Sequence, residues 1–178
     1  MPIAASRPAA EHELIELGRE AAAAADALLG DAVARVRERV FVEGHSVARL
    51  FDREQRATHG LAWFATYVEA VRQLAAYAER MAGAGTLGET EEHLVRIALG
   101  EYLAQMIGGI PMSQGELVRP SDLGLSAAQV AARINPVIEG LISSGNTPER
   151  RARLISFTRA PASSTRSMAL SGRNRSGM

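Results

Sequence analysis

Cysteine is absent from the 178 residues. That excludes disulfides, thiolate metal sites and cysteine nucleophiles, and it favours a cytoplasmic protein over a disulfide-stapled secreted one. Lysine is absent too, so all 20 basic residues are arginine. Schiff-base, phosphate-loop-lysine and lysine-base chemistries are thereby excluded. Aromatic residues make up only 4% of the chain, so a core must be built mainly from Ala, Leu, Val, Ile and Met. No apolar run approaches the roughly 20 residues needed to span a bilayer. The opening MPIAASRPAAEHELIEL lacks a basic stretch followed by an apolar one, so no secretory leader is expected.

Charge of one sign is missing from the C-terminal end. Residues 150–178 hold seven arginines and no acid, whereas residues 1–149 hold thirteen arginines against twenty acids. The body is thus about −7 and the tail about +7, although the whole chain is neutral. A basic tail can anchor nucleic acid. Its Ser, Gly and small-residue content (APASSTRSMALSGRNRSGM) equally describes a disordered end, and the folded part has no basic stripe interleaved with aromatics, so no nucleic-acid partner is expected.

What is present is helical periodicity. Leu14, Leu17, Ala21, Ala25, Leu28, Ala32, Val36 and Val40 recur at spacings of three and four and predict a helix over 11–42. After the Glu43-Gly44-His45 break, with Ser46 as its N-cap, a second helix is expected over 47–82. Its stripe runs Leu50, Ala57, Leu61, Phe64, Val68, Val71, Ala75, Ala78, widened by Trp63, Tyr67, Leu74 and Met81. A third, over 89–108, is apolar around much of its circumference (Leu94, Ile97, Ala98, Leu99, Tyr102, Leu103, Met106, Ile107) and opens on Glu89, Glu91 and Glu92, which suit the helix dipole. Ser126-Ala-Ala-Gln129 reads as a capping box for a fourth helix to about 143, which Pro136 must kink or restart. Thr147-Pro148 caps a short last helix. Strand signals are negligible. The expectation is an all-α bundle of about four main helices over 11–158, between a frayed 1–10 and a disordered 159–178.

Motifs for chemistry are few. Glu89 and His93 are four apart, but no Glu-x-x-His pair recurs, so no metal is expected. His12, His45, His59 and His93 are scattered, and His59 faces Trp63 on one helix side as a structural contact. No Gly-rich nucleotide fingerprint occurs. The exception to the helical pattern is GGIPMSQGELVRP. Gly108-Gly109 can stop a helix through positive φ, Pro111 lacks an amide donor, Ser113-Gln114-Gly115-Glu116 fits a cap for one further turn, and Arg119-Pro120 would end it. Stop, cap, turn and stop account for each residue type. Exposed amides and Arg119 would also suit an anion or another domain, which makes Gly108, Gly109, Pro111, Ser113, Gln114, Glu116 and Arg119 a candidate domain contact.

EQRATHGLAWFATYVEAVRQLAAYAERM (54–81) and GEYLAQMIGGIPMSQGELVRPSDLGL (100–125) resemble the N-terminal helical extension of the methylsuccinyl-CoA dehydrogenases, flavin-dependent members of the acyl-CoA dehydrogenase family. The likeness runs over roughly residues 10–155. Gly109–Arg119 more faintly resembles a Gly-Gly-x-Gly-x-Ser-x-Glu motif of the family's C-terminal helical domain, with proline at the third glycine. The resemblance implies a parent enzyme that oxidises (2S)-methylsuccinyl-CoA to mesaconyl-CoA with FAD, as a cytoplasmic homodimer or higher oligomer. It places flavin, acyl-CoA and catalytic glutamate in a downstream core, before which this chain is expected to stop. Glu101 and Glu116 match the extension only, so no catalytic or cofactor-binding residue carries over. The implied role is an accessory domain, not catalytic alone, packed on that core. The alternative is a free-standing helical-bundle interaction module.

Overall fold

A computed structural model describes residues 7–159. Of the expected disordered tail at 159–178, Arg159 is helical and the rest lies outside the described residues, as do residues 1–6 of the expected frayed start. Helix α1 spans Arg7–Val40, starting four residues ahead of the expected 11 and running through Gly30 without interruption. Its predicted stripe is its buried face except at Leu17, which is half-buried: Leu14, Ala21, Ala25, Leu28, Ala32, Val36 and Val40 are all at most 3% exposed. Three residues past its end, Glu43 and Gly44 both take positive φ, 50° and 82°. This is the geometry of a two-residue hairpin turn, and it pairs β1 (Phe41–Val42) with β2 (His45–Ser46).

That hairpin overturns one expectation. Ser46 pairs with Phe41 across the turn, so Val47 takes the cap position of α2 (Ala48–Arg53), without a side-chain cap bond. The expected single helix over 47–82 is two, because the backbone leaves helical geometry at Glu54 before α3 (Gln55–Gly83). Helix α3 runs antiparallel to α1, and ion pairs mark the register. Arg19 meets Glu79, Asp26 meets Arg72 and Arg39 meets Glu54, so positions ascend one helix as they descend the other. Phe64, Val68, Val71, Ala75 and Ala78 face α1 from α3 and are buried.

Helix α4 (Glu89–Gly108) starts as its acids suggest. The Glu91 carboxylate accepts the Gly88 amide at 2.9 Å, Glu92 holds Arg96 and Glu89 holds Arg153. The apolar pattern misplaces one residue on it: Leu94 is 43% exposed, and Val95 is the buried neighbour. The predicted fourth helix is also two. Helix α5 (Ala127–Ala131) carries the Ser126/Gln129 capping box, and Asn135-Pro136 restarts the chain as α6 (Pro136–Ser144), with the Asn135 side chain accepting the Ile138 amide at 3.0 Å. Helices α4 and α6 meet backbone to backbone. A Cβ on Gly100 would lie 2.6 Å from the Leu141 carbonyl and 3.0 Å from the Gly145 Cα. Helix α7 (Pro148–Arg159) begins at the expected Thr147 cap, whose hydroxyl accepts the Arg150 amide, and docks on α4. Among the described residues no helix is long and apolar enough to cross a membrane. The result is a mostly α-helical domain with two short strand pairs.

Candidate functional site

The segment after Gly108 is a hairpin, not a capped helical turn. Gly109 takes φ 137°, and its amide still donates to the Gln105 carbonyl, which closes α4 as glycine termination requires. Strands β3 (Ile110–Ser113) and β4 (Glu116–Val118) then pair antiparallel, with Ile110 opposite Val118 and Ser113 opposite Glu116. Gly115, at φ 82°, makes the turn. The Ser113 hydroxyl does reach the Glu116 carboxylate, at 3.1 Å, but across the hairpin end rather than as a helix cap. The expected extra helical turn is thus corrected. Burial explains the outcome, since both Ile110 and Val118 reach the core, at 0% and 1% exposed, from facing strands.

Two anchors hold this arm. One is steric. Val118 Cγ2 occupies the place a Cβ would need on Gly60 in α3, with Leu123 close behind. The other is polar and centres on Asp122. Its carboxylate accepts the Arg119 amide at 2.8 Å and the Arg56 guanidinium at 3.2 Å. Arg56 also donates to the Leu117 carbonyl, and Arg39 to the Asp122 carbonyl. Burial alone would raise the Asp122 carboxyl. The Arg119 amide and the Arg56 guanidinium outweigh it and hold the group below the ordinary aspartate value. Arg56 is raised in return, chiefly by its hydrogen bond to Asp122. The chain then turns through Gly124 (φ 86°) into α5.

The residues singled out in sequence therefore share one arm. Gly108, Pro111, Ser113, Gln114, Glu116 and Arg119 are exposed along it, and Gly109 is half-buried at its root. Beside its base lies an open cavity of about 380 Å³, bounded by Arg119, Ile107, Pro120, Leu125, Val130 and Ile134. Its walls are mostly apolar, with Arg119 and Ser121 as the polar residues among them.

A second group was not legible in the sequence. Tyr67 donates to Gln105 (2.7 Å), Gln105 to Glu101 (2.5 Å), Asn146 to the other Glu101 oxygen (2.5 Å), and Arg151 to Asn146 (2.6 Å). The chain of bonds ties α3, α4 and α7 along a cavity of about 390 Å³. Glu101, tempting as a base, thus has both oxygens engaged by neutral amides. Burial, then the neighbouring Tyr102 and Glu101, push the Tyr67 phenol up. The only signal available was the i, i+4 spacing of Glu101 and Gln105. Asn146 and Arg151 join through tertiary packing.

The remaining candidates resolve as structure. Trp63 donates its indole proton to His59 at 2.9 Å, the expected contact. Glu89 lies 3.6 Å from His93 but is bound by Arg153 through two bonds, which hold its carboxyl below the ordinary value. Among the described residues no three His, Asp or Glu side chains gather as a metal site.

No protein-family profile matches the chain. It is 41% identical, over 147 residues, to the (2S)-methylsuccinyl-CoA dehydrogenase of Cereibacter sphaeroides. The match takes in 83% of this chain and 26% of that enzyme, so the chain spans about a quarter of the relative's length. The resemblance read from residues 54–81 and 100–125 is borne out, and the chain is similar to one part of an acyl-CoA dehydrogenase-like protein.

Proposed function

We propose that this domain is an accessory N-terminal domain, or a fragment of one, of an FAD-dependent acyl-CoA dehydrogenase acting on a branched dicarboxylic acyl-CoA, and that it is not catalytic on its own. The observation that carries the reading is the 41% identity confined to about a quarter of the enzyme. The disposition of the acids supports it. Proton abstraction next to a thioester needs a base within reach of substrate. Glu101 is committed to Gln105 and Asn146, Glu116 sits on an exposed hairpin end facing Ser113, and Asp122 serves as an anchor.

A bound flavin supplies hydride acceptance. In this reading FAD and the acyl-CoA are held by the rest of the parent enzyme, in the cytoplasm, and this domain packs on that core within a homo-oligomer through the Gly108–Arg119 arm and its surroundings.

A mixing experiment tests it. The chain is run by size exclusion alone and with a flavin-loaded core lacking its own N-terminal quarter, while methylsuccinyl-CoA oxidation is recorded. The expected result is a colourless chain that co-elutes with the core and raises its activity. A chain that ignores the core overturns the reading. The second reading, a free-standing interaction module, draws on the apolar groove where Val33 (43% exposed) and Phe51 (37%) approach Val36, Val40, Phe41 and Leu61.

A further inference from the structure

Arginine is nearly always partnered in this fold. Arg19, Arg56, Arg72, Arg96, Arg133 and Arg153 all hold carboxylates, and Arg37 lies over the Phe41 ring. Among the described arginine side chains, Arg49, Arg80 and Arg119 hold no hydrogen bond, ion pair or ring contact, although the Arg119 charge helps lower the nearby Asp122 carboxyl. Of these, Arg119 stands on the rim of the 380 Å³ cavity.

The cavity's other walls make the opposite demand. Ile107, Leu125, Val130 and Ile134 present apolar surface, which favours an apolar occupant. Ala127 and Ala131, one turn apart on α5, are exposed at its edge and small enough for a second backbone to come close. The Arg119 guanidinium, close enough to feel the Asp122 charge but bonded to no carboxylate, favours one bound through paired N–H donors. One occupant meets both demands: a segment with an apolar face and one acid. About three quarters of the similar enzyme lies outside the part this chain matches, and that remainder is its source.

We infer that this groove seats an amphipathic segment of the dehydrogenase core, packed on α5 and tied to Arg119 by a carboxylate. The inference rests on the reading that the domain serves such a core. It moves the principal contact from the polar hairpin tip to the groove at the hairpin's base.

The test is calorimetric titration of the full chain into the flavin-loaded core. Arg119→Glu places like charges together and is expected to weaken binding roughly a hundredfold. Ala131→Arg obstructs the groove and is expected to do the same. Arg80→Glu reverses an exposed charge elsewhere and is expected to change affinity less than about twofold. All three positions are exposed, and circular dichroism confirms that each variant keeps its helices. Binding by the wild type that survives both groove substitutions overturns the inference and leaves the accessory role standing. No binding by the wild type overturns both.

Discussion

Gly60 sits inside α3, in its second turn, where glycine is a poor choice, and its replacement tests why it is there. Taken alone, alanine at a helix interior is better than glycine by about 1 kcal/mol. Here the new Cβ would fall on Val118 Cγ2, and would lie 3.2 Å from Val118 Cβ and 3.4 Å from Leu123 Cδ2. Val118 is branched and fixed to a strand, so it cannot swing aside as a long side chain would. Overpacking of this kind costs about 1–3 kcal/mol. Gly60→Ala is therefore expected to destabilise by about 1 kcal/mol net of the helix gain. The decisive comparison is a double-mutant cycle in urea, followed by circular dichroism. Val118→Ala by itself should cost about 2 kcal/mol through lost burial and a residual cavity. It also removes the colliding methyl, so in that background Gly60→Ala should become stabilising by about 1 kcal/mol. The sign should reverse. If Gly60→Ala stabilises the parent chain by the full helix-propensity gain, or if the two substitutions are additive, then the hairpin does not seat on Gly60 and the account of the arm is wrong.

The remaining expectations concern neighbouring features. Gly109→Val forces a β-branched side chain to φ 137° and should destabilise by about 1 kcal/mol or more, measured in the same urea melts. Gly100→Ala drives a methyl into main-chain atoms of α6, which cannot rotate away, and should cost more than about 2 kcal/mol. Asp122→Asn weakens the Arg56 tie and should cost about 1–2 kcal/mol at neutral pH. Because the folded Asp122 carboxyl titrates below its ordinary value, its contribution is present above the unfolded pKa and lost as pH falls through the folded one. The gap between wild type and Asp122→Asn should accordingly close in acid, as read from melts across the acid range.

Periodicity made the three long helices legible because each buries a continuous stripe. All but one of the residues it picked on α1 are buried, Leu17 being the exception. It failed where burial is decided by partners distant in sequence. Leu94 and Val95 are adjacent, equally apolar and on a helix with little polar face, so sequence alone did not say which turns inward. Ser113-x-x-Glu116 has the spacing of a helix cap and of a two-residue hairpin alike. Val118 decides between them only because Gly60 leaves it a niche 58 positions upstream. Ser46 lost its cap role for a similar reason, since Phe41 claims it across a turn. Of the site, Gly109 and Arg119 were visible as a helix stop and an exposed cation. The Asp122 anchor and the Tyr67–Arg151 chain depend on side chains from separate helices, and spacing carries no signal for those.

The arm also offers a practical address. Ser113, Gln114, Gly115 and Glu116 are exposed at its tip, while its root is clamped by Val118 and Asp122. Because the chain contains no cysteine, a thiol introduced by Gln114→Cys would be unique. A dye attached there rides on a stiff lever rather than a floppy loop, with Trp63 as a fixed donor in the body. Motion of the arm on encountering a partner would then be readable as energy transfer within one labelled molecule.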